Sequence, residues 1–130
     1  MKKLFGFSFL FLFLISCKKE KQPSIVGTWK EVSAYYQDGQ GNYKWNDVLH
    51  GFPYFLTFTD IGTYSSRQCT PSGNGYYQYD HPSKQVRMED ISSGSILTLS
   101  VSILDDDYLI LDHGQTSMGE YKVKFIRNQY

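Results

Sequence analysis

The sequence predicts an all-β domain, and three observations carry that prediction. Apolar and polar residues alternate at a period of two, most cleanly where Leu97, Leu99, Val101 and Ile103 interleave with Thr98, Ser100 and Ser102. Clusters of Gly, Pro, Asn, Asp and Ser cut the chain after Pro23 into short runs at hairpin spacing, and no run shows a helix-length apolar face. All eleven tyrosines, side chains suited to a half-buried sheet, lie beyond Cys17. The count is about eight antiparallel strands, the number that closes a small up-and-down barrel and removes exposed edges. A sandwich is the alternative, although the Cys…Trp…Cys spacing of the immunoglobulin type is absent.

The runs follow in order. Ile25–Tyr36 is the first, closed by Asp38-Gly39-Gln40-Gly41-Asn42, and Tyr43–Val48 is a weak second. In Tyr54–Thr59, Tyr54, Leu56 and Phe58 share one face, and Asp60-Ile61-Gly62 turns the chain into Thr63–Gln68. Thr70-Pro71-Ser72-Gly73-Asn74-Gly75 reads as the most emphatic loop, followed by strands at Tyr76–Asp80 and, past His81-Pro82-Ser83, at Gln85–Glu89. Ser95–Leu104 is predicted to bury one face, with Leu97, Leu99, Val101 and Ile103 inward. Asp105-Asp106-Asp107 leads into Tyr108–Asp112, and Gly119–Arg127 closes the domain with Tyr121, Val123, Phe125 and Arg127 on one side.

Gly27-Thr28-Trp29 opens the first strand and Arg127 ends the last. This arrangement resembles the lipocalin superfamily, in which a Gly-x-Trp tryptophan plugs the closed end of the barrel and an arginine of the final strand packs across its ring. A guanidinium gains cation–π attraction there while its donors bond nearby carbonyls. Phe55-Leu56-Thr57-Phe58 with Asp60-Ile61-Gly62-Thr63, and Val101–Leu104 with Tyr108–Leu111, are similar to paired strands of bacterial lipocalin-like lipoproteins. The resemblance spans Ile25 to Arg127. It implies an up-and-down barrel, a structural pair Trp29–Arg127, and a ligand mouth opposite the plug. The chain is shorter than the parent family and has no C-terminal helix.

The first residues read as an address. Lys2 and Lys3 precede an apolar run, Leu4–Ile15, whose twelve residues would reach about 18 Å as a helix. The hydrocarbon core is about 30 Å thick, so the run suits a signal peptide rather than a span. It ends in Leu14-Ile15-Ser16-Cys17, which resembles the lipobox of bacterial lipoproteins. That resemblance implies cleavage before Cys17, diacylglyceryl (palmitate-type) lipidation of its thiol and attachment to a membrane, where two or three chains anchor stably. The expected organisation is residues 1–16 as signal peptide, 17–24 as lipidated cysteine and flexible tether, and 25–130 as the barrel. The Phe-rich signal and Cys-Lys-Lys-Glu start look like Bacteroidetes lipoproteins and imply the cell envelope. No Asp follows Cys17 to hold the chain at the inner membrane. A single Glu among three Lys makes no acidic export signal, so the expected place is the periplasmic face of the outer membrane.

Charge and spacing narrow the function classes. Basic and acidic residues balance at 13 each; without Lys2 and Lys3 the chain carries 11 against 13, and without residues 17–24 as well it carries 8 against 12. A mildly acidic domain with no basic stripe is a poor nucleic-acid binder. His50, His81 and His113 all fall in or beside predicted loops without metal-ligand spacing, and Asp105–Asp107 lacks the spacing of a calcium loop, so no metal or cofactor is expected. Glu89 and Asp90 would point to opposite faces of a strand, and no nucleophile–base pair or phosphate loop stands out, so no enzyme is expected. With Cys17 lipidated, Cys69 has no disulfide partner and reads as a small, partly covered residue. Tyr43, Trp45, Phe52, Tyr54, Tyr76, Tyr77 and Tyr79 are the aromatics expected near a mouth or exposed face. They leave two readings: a barrel binding a small hydrophobic molecule or lipid, or a protein-interaction or inhibitor-type lipoprotein with a filled core.

Overall fold

A computed structural model describes residues 21–48, 54–67 and 73–129. Cys17 and the signal, His50, Phe52 and Cys69 lie outside the described residues. Nine strands are described, and none of the described residues is helical: β1 Gly27–Gln37, β2 Tyr43–Asp47, β3 Phe55–Phe58, β4 Thr63–Arg67, β5 Gly73–Asp80, β6 Gln85–Asp90, β7 Ile96–Leu104, β8 Tyr108–Thr116 and β9 Gly119–Arg127. Every pairing is antiparallel between chain neighbours, with β1 also pairing β3 and β9. That last contact closes β1 and β3–β9 into an eight-stranded barrel. The weak second run is the extra strand. β2 pairs with the second half of β1 (Gln37↔Tyr43 to Ser33↔Asp47), on the edge whose first half pairs with β3 (Lys30↔Phe55 to Gly27↔Phe58).

Period-two alternation fills the barrel. Trp29, Leu56, Phe58, Val86, Met88, Leu99, Leu109, Leu111, Val123 and Phe125 are all at most 2% exposed, so all strands except β2, β4 and β5 give a fully buried side chain, and β4 adds Tyr64. At about 25 cal/mol per Å² of apolar surface this continuous interior is what holds so small a domain together.

Three sequence expectations change in the fold. Gly73 to Gly75 belong to β5 rather than a loop. Gly75 is buried, and a methyl built on it would overlap the Glu89 carbonyl of β6, so here glycine permits close strand approach instead of a turn. Ile103 does not follow Val101 inward. A bulge between Val101 and Ile103 shifts the register by one, leaving Ile103 46% exposed and turning Leu104 against the core. The strand expected to stop at Asp112 runs on to Thr116 through a second irregularity between Asp112 and Gln115, where Gly114 takes φ +69°. That extension carries His113 into the wall of the barrel.

Candidate functional site

The chain enters the barrel at a sealed end. Ile25 is 3% exposed and its carbonyl accepts the Trp29 indole N–H at 2.8 Å. The Arg127 guanidinium carbon lies 4.1 Å from the Trp29 ring centroid, opposite it in the β1–β9 register. Its three nitrogens donate to three carbonyls: Nε to Asp106 (2.6 Å), Nη1 to Val26 (2.8 Å) and Nη2 to Ser24 (2.9 Å). One planar fork thus ties the N-terminal segment, the β7–β8 turn and the plug. Gly27, at φ +138°, leaves the space that Nη1 occupies; a methyl there would meet it. The structure therefore brings Trp29 and Arg127 into contact.

The opposite end is open and chemically mixed. On one wall, Tyr64 of β4, Met88 and Asp90 of β6, Leu97 of β7 and the β6–β7 turn line a cavity of about 580 Å³. Asp90 caps that turn: Oδ1 accepts the backbone N–H and the hydroxyl of both Ser92 and Ser93, at 2.6–3.0 Å. These donors hold its carboxyl down at about 2, so it is ionised at neutral pH.

The other wall, from β8, β9 and β1, carries groups that the sequence reading missed. Glu31 shares inward parity with Trp29 and pairs with buried Phe125; half-burial pushes its carboxyl above the ordinary value. His113 faces inward with its ring 5.1 Å from that of Tyr121, and burial lowers its imidazole, keeping it neutral. Its Nε2 is buried with no hydrogen-bond partner. Burial raises the Tyr121 phenol, and Glu31 and Tyr36 add to that rise, which places all three in one field. Tyr36 and Tyr121 flank a smaller cavity of about 190 Å³ with Met118 and Thr116. For His113 the expectation of an exposed loop histidine is thus corrected. His81 is exposed in a turn, edge-on to Tyr79 at 4.4 Å, whereas His113 is an interior strand residue.

The seven aromatic candidates do not form one surface. Tyr54, Tyr77 and Tyr79 pack against the core, with Tyr77 edge-on to Phe58 at 4.7 Å and its hydroxyl donating to the Thr59 carbonyl at 2.7 Å. Tyr76 is 58% exposed on the outside. Tyr43 and Trp45 gather on the outer face around Tyr35, at 5.7 and 5.5 Å, and Lys122 lies over the Tyr35 ring. Phe52 lies outside the described residues. The register explains the split: Gln37↔Tyr43 and Tyr35↔Trp45 put those rings outward, while Tyr77 and Tyr79 share the inward parity of Gly75. Comparison with known protein families, curated proteins and solved structures finds no match for this chain.

Proposed function

We propose that the chain is an envelope lipoprotein, anchored at the outer membrane through lipid on Cys17, whose barrel binds a small hydrophobic molecule or lipid through its open end. One observation carries the reading. The barrel is plugged at the Trp29–Arg127 end, and at the other end a cavity of about 580 Å³ opens to solvent beside Tyr64, Met88 and Leu97. That volume falls within the ordinary range for small-molecule sites. The reading assigns binding and no catalytic step. Because β1 begins at the plugged end, the tether leaves from there and the mouth faces away from the anchored side.

A second reading rests on a separate feature. Tyr43 and Trp45 are 40% and 42% exposed and adjoin Tyr35 on the outer face, the kind of aromatic group that anchors a protein partner.

Native mass spectrometry of the full lipoprotein released from membranes tests both. A bound molecule present on the unaltered protein and lost on Leu97→Trp, which fills the cavity, is the expected result. A bare protein that takes up no apolar probe sinks the ligand reading and favours the outer face. Processing is tested alongside: Cys17→Ser should leave an uncleaved precursor that incorporates no palmitate, and normal labelling would refute the anchor.

A further inference from the structure

Asp90 carries the one charge among the described residues that line the cavity of about 580 Å³. Its two carboxylate oxygens have different surroundings. Oδ1 takes all four serine bonds that cap the β6–β7 turn. Oδ2 accepts no hydrogen bond among the described residues and lies over Gly73, where a β-carbon would overlap it. Gly73, at φ +110°, thus leaves the space that this oxygen occupies. The serine donors keep the carboxyl ionised at neutral pH, yet no cation lines the cavity with it. Arg87, three residues earlier in β6, is engaged with Glu89 at 3.5 Å instead.

Tyr64 lines the same cavity and is 3% exposed. Its side chain shares the inward parity of its partner Phe58, and its hydroxyl makes no hydrogen bond among the described residues. Native interiors satisfy nearly all such groups, so a buried hydroxyl left without a partner beside a hollow points to a molecule that supplies one. Burial raises the phenol and the charge of Asp90 adds to that rise, so the two groups lie within electrostatic reach and the hydroxyl stays protonated. Met88 and Leu97 complete the wall with apolar surface.

These atoms select for charge and for donors. A carboxylate oxygen only accepts, and a phenol oxygen can accept as well as donate. An anionic head would meet the charge of Asp90 unpaired. A quaternary ammonium has no N–H to give and is held by a cage of aromatic faces, whereas Tyr64 is the one ring among the described lining residues. A primary ammonium brings both the positive charge and the N–H donors.

We propose that Asp90 and Tyr64 form a cation subsite within this one cavity. It takes the primary ammonium of a ligand whose apolar part lies along Met88 and Leu97. This rests on the ligand-binding reading above and names the ligand's chemical class.

The test uses the full lipoprotein in phosphatidylcholine nanodiscs at pH 7. It is titrated calorimetrically with hexylammonium, hexyltrimethylammonium, hexanol and hexanoate after subtraction of empty-disc heats. Hexylammonium is expected to bind about tenfold more tightly than hexanol, with the quaternary probe between them and hexanoate weakest. That order on the unaltered protein tests the chemistry without any variant. Asp90→Asn, which keeps the shape of the side chain, should bring hexylammonium down to the hexanol affinity. Tyr64→Phe, which keeps the ring, should weaken hexylammonium about threefold. Any other probe binding as tightly as hexylammonium overturns the subsite while leaving the ligand-binding reading intact. So does a preference that survives Asp90→Asn, or hexylammonium binding that survives Leu97→Trp. If none of the four binds, the ligand-binding reading itself falls.

Discussion

Removing the plug should be the most damaging single truncation in this domain. Trp29 is fully buried, and an aromatic side chain of this kind hides about 150–250 Å². At about 25 cal/mol per Å² that is about 4–6 kcal/mol, matching the roughly 3–5 kcal/mol measured for large aromatic truncations. The lost indole bond to the Ile25 carbonyl adds about 1 kcal/mol. Taking the measured range with that bond, Trp29→Ala should cost about 4–6 kcal/mol. Arg127→Ala loses the ring contact and leaves three carbonyls to water or to nothing, and because two of its three bonds are exposed its cost should be about 2–3 kcal/mol. Either variant removes the one contact between ring and guanidinium, so the double mutant should be less damaging than the sum by about 1 kcal/mol. Urea unfolding followed by far-UV circular dichroism reads all four states of the cycle. A small domain holds only about 5–15 kcal/mol, so a parallel cycle with Trp29→Phe keeps every state folded. Arg127→Lys should recover little, because a point charge cannot bond three carbonyls from one plane. Additivity within about 0.3 kcal/mol would show that the two side chains are neighbours without energetic coupling, and the plug argument would fail.

Three further outcomes follow from the wall and the mouth. Gly75→Ala should cost about 2–3 kcal/mol in the same assay, because its methyl overlaps the Glu89 carbonyl and β5 must move off β6; Gly39→Ala, with open space around it, should change almost nothing, and equal effects would refute the close-approach argument. Glu31 binds its proton more tightly folded than unfolded, so its stabilising contribution is present below about pH 4.5 and lost as pH rises through the raised folded value. Glu31→Gln should accordingly raise the Tm at pH 7 and raise it less at pH 4; a lower Tm at pH 7 would reveal a partner for the carboxylate. Asp90 behaves oppositely: its contribution is present above about 3.8 and lost as pH falls toward about 2. The urea midpoints of Asp90→Ala and the unaltered protein should converge over that interval, and a constant gap would remove the serine-capped carboxylate as the cause.

Strand existence and order were readable because the side-chain period of a strand is written directly into local sequence. Leu56 and Phe58, Leu97 and Leu99, and Val123 and Phe125 all face the core as their alternation predicts, Leu97 being partly buried against it. Trp29 and Arg127 were paired in advance by the resemblance of Gly27-Thr28-Trp29 and the final-strand arginine to the lipocalin pattern, with the inward parity of Arg127 in agreement, and antiparallel closure of β1 on β9 places those ends together. The groups at the mouth were not readable. His113 lies beyond Asp112 and next to Gly114, a local signal for a turn, and becomes a strand residue because β9 supplies a long hairpin partner across an irregular register. Ile103 carried a clear inward signal that a bulge reversed.

By itself the sequence determined the all-β class, the run of hairpins and, away from the bulges, the faces that fill the interior, since alternation and turn chemistry act between near neighbours. Only the tertiary structure decided that β2 stands outside the ring and that the aromatics divide between interior and outer face. It alone turned His113 inward beside Tyr121 and brought Glu31 within the electrostatic reach of that same phenol. Those outcomes depend on register across strands distant in sequence, and a shift of one residue at a bulge moves every later side chain to the opposite face.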